Sequence, residues 1–328
     1  METPRYDVVV VGGGAAGSSA ALVLGRARRR VAVIDAGAPR NAPAAHMQGF
    51  LSRDGLPPDE LLALGRQEIE GYGVEITEGS AREIVNEGPS GFRVVLGDGR
   101  SVSTRRLLMA TGLRDEIPDI PGLRERWARD VLHCPYCHGY EVRDRKLAVL
   151  GTSPTAVRYA QIVRQWSDDL VYITPAGTLS TADHRQLAAR GIGIAEGIPQ
   201  RVIVEDDHLR GIELDGDRVV ACDALFVPPR FVPNSDLLVG LGCGLDEGGW
   251  PVADAEGRTS VAGVWVAGNV TNARAQVITA AGEGSAAAIA INADLVDEDV
   301  RDAVLAAAGP HATTEPTGTS THPQEKTR

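Results

Sequence analysis

Hydrophobic positions along this chain fall in short continuous runs rather than in strict alternation. Tyr6 to Val11, Val31 to Ile34, Lys146 to Gly151 and Val171 to Ile173 are mostly aliphatic stretches bounded by glycine or polar residues, the pattern of strands buried on both faces of a parallel sheet. Between the first two, Ser18 to Gly25 is a run of small residues that predicts a helix lying close on its sheet. Towards the far end, Gly263 to Asn269 reads as another buried strand that ends in a polar residue, and Gln276 to Asn292 as a helix rich in Ala and Gly. Strands alternating with helices predict an α/β architecture.

The link between the first strand and the first helix is Gly12-Gly13-Gly14-Ala15-Ala16-Gly17, and the second strand closes on Asp35. Strand, glycine turn, helix, strand and acid in this order form a dinucleotide-binding unit. Gly12 permits the tight turn, Gly14 lets backbone approach a pyrophosphate, Gly17 lets helix and strand pack, and Asp35 can hold a ribose hydroxyl. The Ala-Gly helix after Asn269 can direct its positive N-terminal end at the electron-accepting part of a flavin, where reduction builds negative charge.

Composition narrows the partners. The formal net charge of -11 argues against nucleic acid or an anionic membrane surface. The cluster Arg26, Arg28, Arg29 and Arg30 reads as a solvated helix end. The chain reaches its first strand within a few residues, and Val8 to Val11 is too short for a signal or a membrane span, so a cytoplasmic location is expected. In a reducing compartment the four cysteines point to catalysis rather than to a structural framework. Residues 309–328, rich in Thr, Pro, Ser and charge, predict a disordered tail.

The chemistry centres on His133-Cys134-Pro135-Tyr136-Cys137-His138. Two thiols at this spacing can open and close a disulfide, and an adjoining imidazole can move the proton each step requires. The alternative, half of a zinc site, needs two more ligands; Cys222 and Cys243 do not form a second pair at metal spacing, and His133 and His138 share one short loop. No metal is expected. Phe231, Trp250 and Trp166 could line an apolar cleft or belong to the core.

Taken together, Gly12 to Gly17, Ala110-Thr111-Gly112, the CxxC and the Thr279-Ala280-Ala281-Gly282-Glu283-Gly284 string resemble the low-molecular-weight thioredoxin reductases over roughly Tyr6 to Asn292. The resemblance implies two Rossmann-like, three-layer nucleotide-binding domains, the second inserted into the first. Residues 1–114 and 246–308 would form the FAD domain, and 115–245 the insert carrying the CxxC. It also implies a homodimer, and a cofactor set of Gly12, Gly14, Ala15, Ala16, Gly17, Asp35, Ala36, Arg40, Thr111, Gly112, Gly268, Asn269, Gln276 and Val277.

Two departures shift the expected activity. A reductase should carry a second GxGxxA turn and, after the next strand, basic residues for the 2′-phosphate of NADPH. Here the turn is Gly151-Thr152-Ser153-Pro154-Thr155-Ala156, Pro154 lacks a backbone donor, and Thr174 to Gly177 holds no arginine, Arg185 being the nearest beyond the loop. NADPH binding is therefore not expected. The second departure is the CxxC itself: His-Cys-Pro-Tyr-Cys-His-Gly-Tyr-Glu resembles the FAD-dependent dithiol oxidases that close disulfides in natural products such as gliotoxin, holomycin and the romidepsin precursor. That resemblance implies a small-molecule dithiol substrate, O2 as acceptor and H2O2 as product. In this scheme His138 or His133 takes the substrate proton, the thiolate attacks Cys134, and Cys137, the sulfur nearer the flavin, passes the electrons on. The alternative is a disulfide reductase drawing on NADPH or another donor such as ferredoxin. A catalytically silent redox sensor is a third class, with no evident use for an intact CxxC between two histidines.

Overall fold

In a computed structural model the described residues are 3–153 and 155–308; Pro154 and the tail 309–328 lie outside them. The first unit opens with β1 (Arg5–Val11), α1 (Ala15–Arg26) and β2 (Val31–Asp35), followed by α2 (Pro58–Glu70), β3 (Glu75–Glu78), β4 (Ala81–Asn86), β5 (Phe92–Leu96) and β6 (Ser101–Met109). Its sheet runs β3-β2-β1-β6-β5-β4. The β1, β2, β3 and β6 neighbours are parallel, whereas β4, β5 and β6 form an antiparallel meander.

Two short strands then connect to a second unit. These are β7 (Leu113–Glu116) and, on the return, β16 (Arg230–Pro233), paired antiparallel with Asp115 opposite Phe231. Between them lie β8 (Val131–Leu132), α3 (Pro135–His138), β9 (Leu147–Leu150), α4 (Ala156–Val163), β10 (Leu170–Thr174), α5 (Thr181–Ala189) and β11 (Gly193–Glu196), then β12 (Pro199–Glu205), β13 (His208–Leu214), β14 (Arg218–Ala221) and β15 (Ala224–Phe226). A five-stranded parallel sheet, β11-β10-β9-β15-β8, is covered on one face by α4 and α5 and on the other by the antiparallel β12-β13-β14. The chain returns through α6 (Asp236–Gly240), β17 (Val264–Val266) and α7 (Val277–Ala308). β17 pairs with the C-terminal half of β6, while β5 takes the N-terminal half. Leu238 and Cys243, inside the 115–245 range expected for the insert, pack in the core of the first unit beside Val264 and Val266.

Burial explains these choices. Val8, Val9 and Val10 have no exposed surface, and each buried side chain of this size contributes about 1.5–3 kcal/mol. On one face of the sheet, α1 lies against α7 through small residues. A Cβ on Gly284 would stand 2.0 Å from the Ala16 carbonyl oxygen, so only glycine allows this approach.

Two expectations are corrected. The last helix continues well beyond Asn292, to Ala308. Its second half is acidic, and ion pairs hold it: Asp294 and Glu298 meet Arg106, and Asp299 meets Arg29 and Arg105. Arg29 is therefore not a solvated helix end. It donates to Asn292 at 2.8 Å and to Asp299 at 2.8 Å.

Candidate active site

The β1–α1 turn is shaped to receive an anion. Gly12 sits at φ +105°, and a Cβ there would lie 2.3 Å from the Ala110 carbonyl oxygen. Gly17 is closed off by Gly12, since a Cβ would stand 1.8 Å from its carbonyl oxygen. Gly14 is the contrast: it is the N-cap of α1, no side chain caps the helix there, and a Cβ would meet nothing within 4 Å. Open space in front of uncapped first-turn N–H groups of Ala15, Ala16 and Gly17 fits the pyrophosphate of FAD. Asp35 is fixed at both oxygens, accepting from the Gly13 N–H at 3.1 Å and pairing with Arg66 of α2 at 2.5 Å. Ala36 follows it, exposed at the end of β2. The sequence reading did not single out Gly13 and Arg66. Gly13 lies in the quoted glycine run, but Arg66 is brought in only by tertiary packing.

Thr111 and Gly112 act at the connector. The Thr111 hydroxyl donates to the Asn234 carbonyl at 2.7 Å, the Asn234 amide donates to the Thr111 carbonyl at 2.8 Å, and the Asn234 N–H donates to the Gly112 carbonyl at 3.0 Å. Gly112, at φ +68°, faces open space. At the other strand end, the Gly268 N–H donates to Glu283 at 3.0 Å, and the Asn272 amide meets the second oxygen of that carboxylate at 2.6 Å. The Asn269 amide donates to the carbonyls of Asn272 and Ala275 at 2.9 and 3.0 Å, which shapes the entry to α7. Gln276 and Val277 stand at that entry. The Gln276 amide reaches Cys137 Sγ at 3.8 Å and so joins the first unit to the redox segment.

Cys134 and Cys137 form a disulfide across one turn of helix, with Cys134 as the N-cap and Pro135 at the first helical position, where a missing N–H costs nothing. Gly139 ends the turn. A Cβ there would overlap the Trp166 ring at 2.8 Å, and Trp166 in turn meets Tyr136 edge to face at 5.5 Å. Tyr136 itself is 66% exposed and borders a groove of about 350 Å³ shared with Arg158, Ile162 and Arg190.

The two histidines differ. His133 stacks on Trp127 at 5.6 Å and meets the edge of Phe231 at 6.2 Å, and its Nε2 lies 3.1 Å from Arg40 Nη2. Its carbonyl accepts from the Tyr159 hydroxyl at 2.5 Å. Burial, then the Arg40 guanidinium, push its pKa down to about 4, opposed in part by Asp115. Arg40 forks onto Asp115 at 2.8 and 2.7 Å. His138 is also lowered by burial, but here Glu141 acts in the opposite direction. Trp250 stands apart, against Gly248 and bonded through its backbone to Asp246.

The turn after β9 is built differently. A Cβ on Gly151 would lie 2.5 Å from the Tyr172 hydroxyl. Thr152 donates to the Pro228 carbonyl at 3.2 Å, and the hydroxyls of Ser153 and Thr155 pair at 3.2 Å. After β10 the Thr174 and Thr178 hydroxyls pair at 2.6 Å, and Arg185 stands exposed on α5. Among the described residues no group of three or more His, Cys, Asp or Glu is placed to hold a metal ion, and no helix is long and apolar enough to cross a membrane.

Residues 6–284 match the family described as Pyridine nucleotide-disulphide oxidoreductase. The solved structure of HlmI superposes with a TM-score of 0.90 at 57% identity, covering 92% of this chain and 96% of that one. Thioredoxin reductase sirT of Leptosphaeria maculans is 29% identical over 90% of this chain and 96% of its own length. A probable thioredoxin reductase of Arthroderma benhamiae is 35% identical over 45% of this chain, which spans 38% of that protein.

Proposed function

The chain belongs to the pyridine nucleotide-disulphide oxidoreductase family, and within it we propose that it is an FAD-dependent dithiol oxidase that closes a small-molecule dithiol to a disulfide, with O2 as acceptor and H2O2 as product. The observation that carries this reading is the contrast between the two turns. The first unit carries an open, uncapped cradle at Gly14 and, at Gln276, a contact to the disulfide, while the turn after β9 is tied up by its own hydroxyls and by Tyr172. NADPH is accordingly not assigned as the donor.

The chemistry divides between the histidines and the cysteines. His138, half-buried and faced by Glu141, takes the proton from one substrate thiol; His133, with Nε2 against a guanidinium, is poorly placed to do so. The substrate thiolate attacks Cys134 Sγ, the Cys134–Cys137 bond breaks, and Cys137 leaves as a thiolate. The second substrate thiol loses its proton to solvent and displaces Cys134 as a thiolate, so that the product departs as a disulfide and both cysteines are left reduced. The Gln276 amide beside Cys137 donates toward the sulfur that carries the negative charge. Gly12, Gly14, Ala15, Ala16, Gly17 and Asp35 would hold FAD at its pyrophosphate and ribose, with Gly268, Asn269, Gln276 and Val277 at its other end. Bound FAD supplies a two-electron acceptor that O2 can reoxidise.

A cytoplasmic homodimer completes the proposal. The outer face of α7 exposes Ile289, Val300 and Val304, each more than half accessible, which supports burial against a second copy. The competing reading, a thioredoxin-linked reductase, draws on the fungal relatives, which are named thioredoxin reductases. Steady-state O2 uptake and NADPH oxidation separate the two. O2 consumption with stoichiometric H2O2 on adding a small dithiol, and no NADPH oxidation on adding oxidised thioredoxin, is the expected outcome; thioredoxin-dependent NADPH oxidation with no dithiol-driven O2 uptake would establish the reductase.

A further inference from the structure

Arg40 lies in the turn after β2, far in sequence from the redox pair, yet its guanidinium reaches the side chain immediately before Cys134. Nε and Nη2 fork onto Asp115 at 2.8 and 2.7 Å, and Nη2 also lies 3.1 Å from His133 Nε2. Asp115, only 9% exposed at its side chain, is on β7 directly opposite Phe231 of β16. The Phe231 ring carries the guanidinium at 5.2 Å and meets the imidazole edge at 6.2 Å. Trp127 closes the imidazole face, and Tyr159 of α4 holds the His133 carbonyl. Separate stretches of the chain thus converge on one imidazole at the connector between the two units.

A guanidinium donates and never accepts. For the 3.1 Å contact to be a hydrogen bond, Nε2 must be the accepting nitrogen, which places the ring hydrogen on Nδ1. Protonating Nε2 would break that bond and set one cation against another. We infer that Arg40 and Asp115 are positioning residues that hold His133 as an uncharged hydrogen-bond donor beside Cys134, leaving proton exchange in the thiol–disulfide step to His138. The inference rests on Cys134–Cys137 being the redox pair, but not on which acceptor or substrate the enzyme uses. The same contacts strap the β2 turn of the first unit to the redox segment of the second.

The charged and titratable groups facing His133 are Arg40, Asp115 and, more weakly, His138. Trp127 and Phe231 carry no charge, and the Tyr159 phenol is pushed far above its ordinary value by burial. This arrangement carries a signature that a purely structural clamp lacks. Removing the cation leaves a carboxylate that favours protonation of the imidazole. Removing the carboxylate leaves a cation that opposes it.

The test is 15N NMR of the full-length holoprotein labelled at histidine, with His133 assigned from the resonance lost in His133→Gln. The wild-type ring is expected to stay neutral, with its hydrogen on Nδ1, from about pH 8 down to about pH 5. Arg40→Gln should raise its midpoint by about one unit or more, and Asp115→Asn should lower it. A hydrogen on Nε2 in the wild type, a wild-type midpoint near that of a free histidine, or shifts of the same sign in both variants would overturn the assignment. If either variant fails to fold, the wild-type tautomer still decides. Absence of dithiol oxidation would sink the proposed activity while leaving this result intact.

Discussion

The two glycine turns of this molecule occupy equivalent places, each between a buried parallel strand and a helix, and they differ in what their atoms are free to do. At Gly12 to Gly17, Gly12 and Gly17 are closed by backbone, Gly13 by the Asp35 side chain, and Gly14, at the helix N-cap, is open. At Gly151 to Ala156 the Tyr172 hydroxyl stands against Gly151, Thr152 is committed to the Pro228 carbonyl, and Ser153 to Thr155. The same topology yields an open, uncapped anion cradle in one unit and a turn with its hydroxyls committed in the other. On the proposed function, turn chemistry rather than the strand-helix scaffold sets which unit takes a nucleotide.

The most severe test removes the partner that the open turn serves. Cys137→Ser should keep the yellow colour of bound flavin and lose dithiol turnover by about 1000-fold or more, because no disulfide remains to receive the substrate's electrons. Full activity in this variant, measured as O2 uptake, would refute the disulfide route. Next, Gly14→Asp sets a carboxylate in the open space in front of α1. Flavin affinity should fall by about 100-fold or more, since like charges meet where helix donors expect an anion. The apoprotein should melt near the wild-type temperature, because a Cβ at Gly14 meets no atom.

A smaller effect concerns protons. His133 has a folded pKa of about 4 against an ordinary value of 6.5, so between these values the unfolded chain binds more protons than the folded one. The corresponding stability is full above about pH 6.5 and is lost as pH falls through about 4, by about 3 kcal/mol in all. Denaturant titrations at intervals across this window should show a larger loss in the wild type than in His133→Gln, the difference being the His133 contribution. The acid limb of dithiol turnover should likewise fall below the ordinary histidine range, since burial lowers His138. The smallest effect sharpens the comparison from the other side. Ser153→Gly restores the middle glycine of the second turn, yet dithiol turnover should change by less than about twofold. A large gain in NADPH oxidation would mean that one side chain had been closing that site.

Much of this was legible in the sequence because it is local. Val8 to Val11, the glycine run and Asp35 declare a strand, a turn and its acid within one short segment, and the CxxC declares its own chemistry. What was not legible depends on packing over long sequence separations. Arg66 reaches Asp35 from α2, Glu283 reaches Gly268 from α7, and Arg40 reaches His133 across 93 residues. The length of α7 escaped the Ala-Gly pattern because its second half is held by arginines from α1's end and β6 rather than by an apolar face. Sequence alone left the two histidines equivalent, and their neighbours separate them.

The central claim, that electrons enter from a dithiol and not from NADPH, is tested most directly by anaerobic mixing of the flavin-loaded protein with each in turn while oxidised-flavin absorbance is followed. Bleaching by a small dithiol alone, with colour returning and H2O2 appearing when air is admitted, is the predicted result. Rapid bleaching by NADPH would contradict it and show that the turn after β9 binds the nucleotide after all.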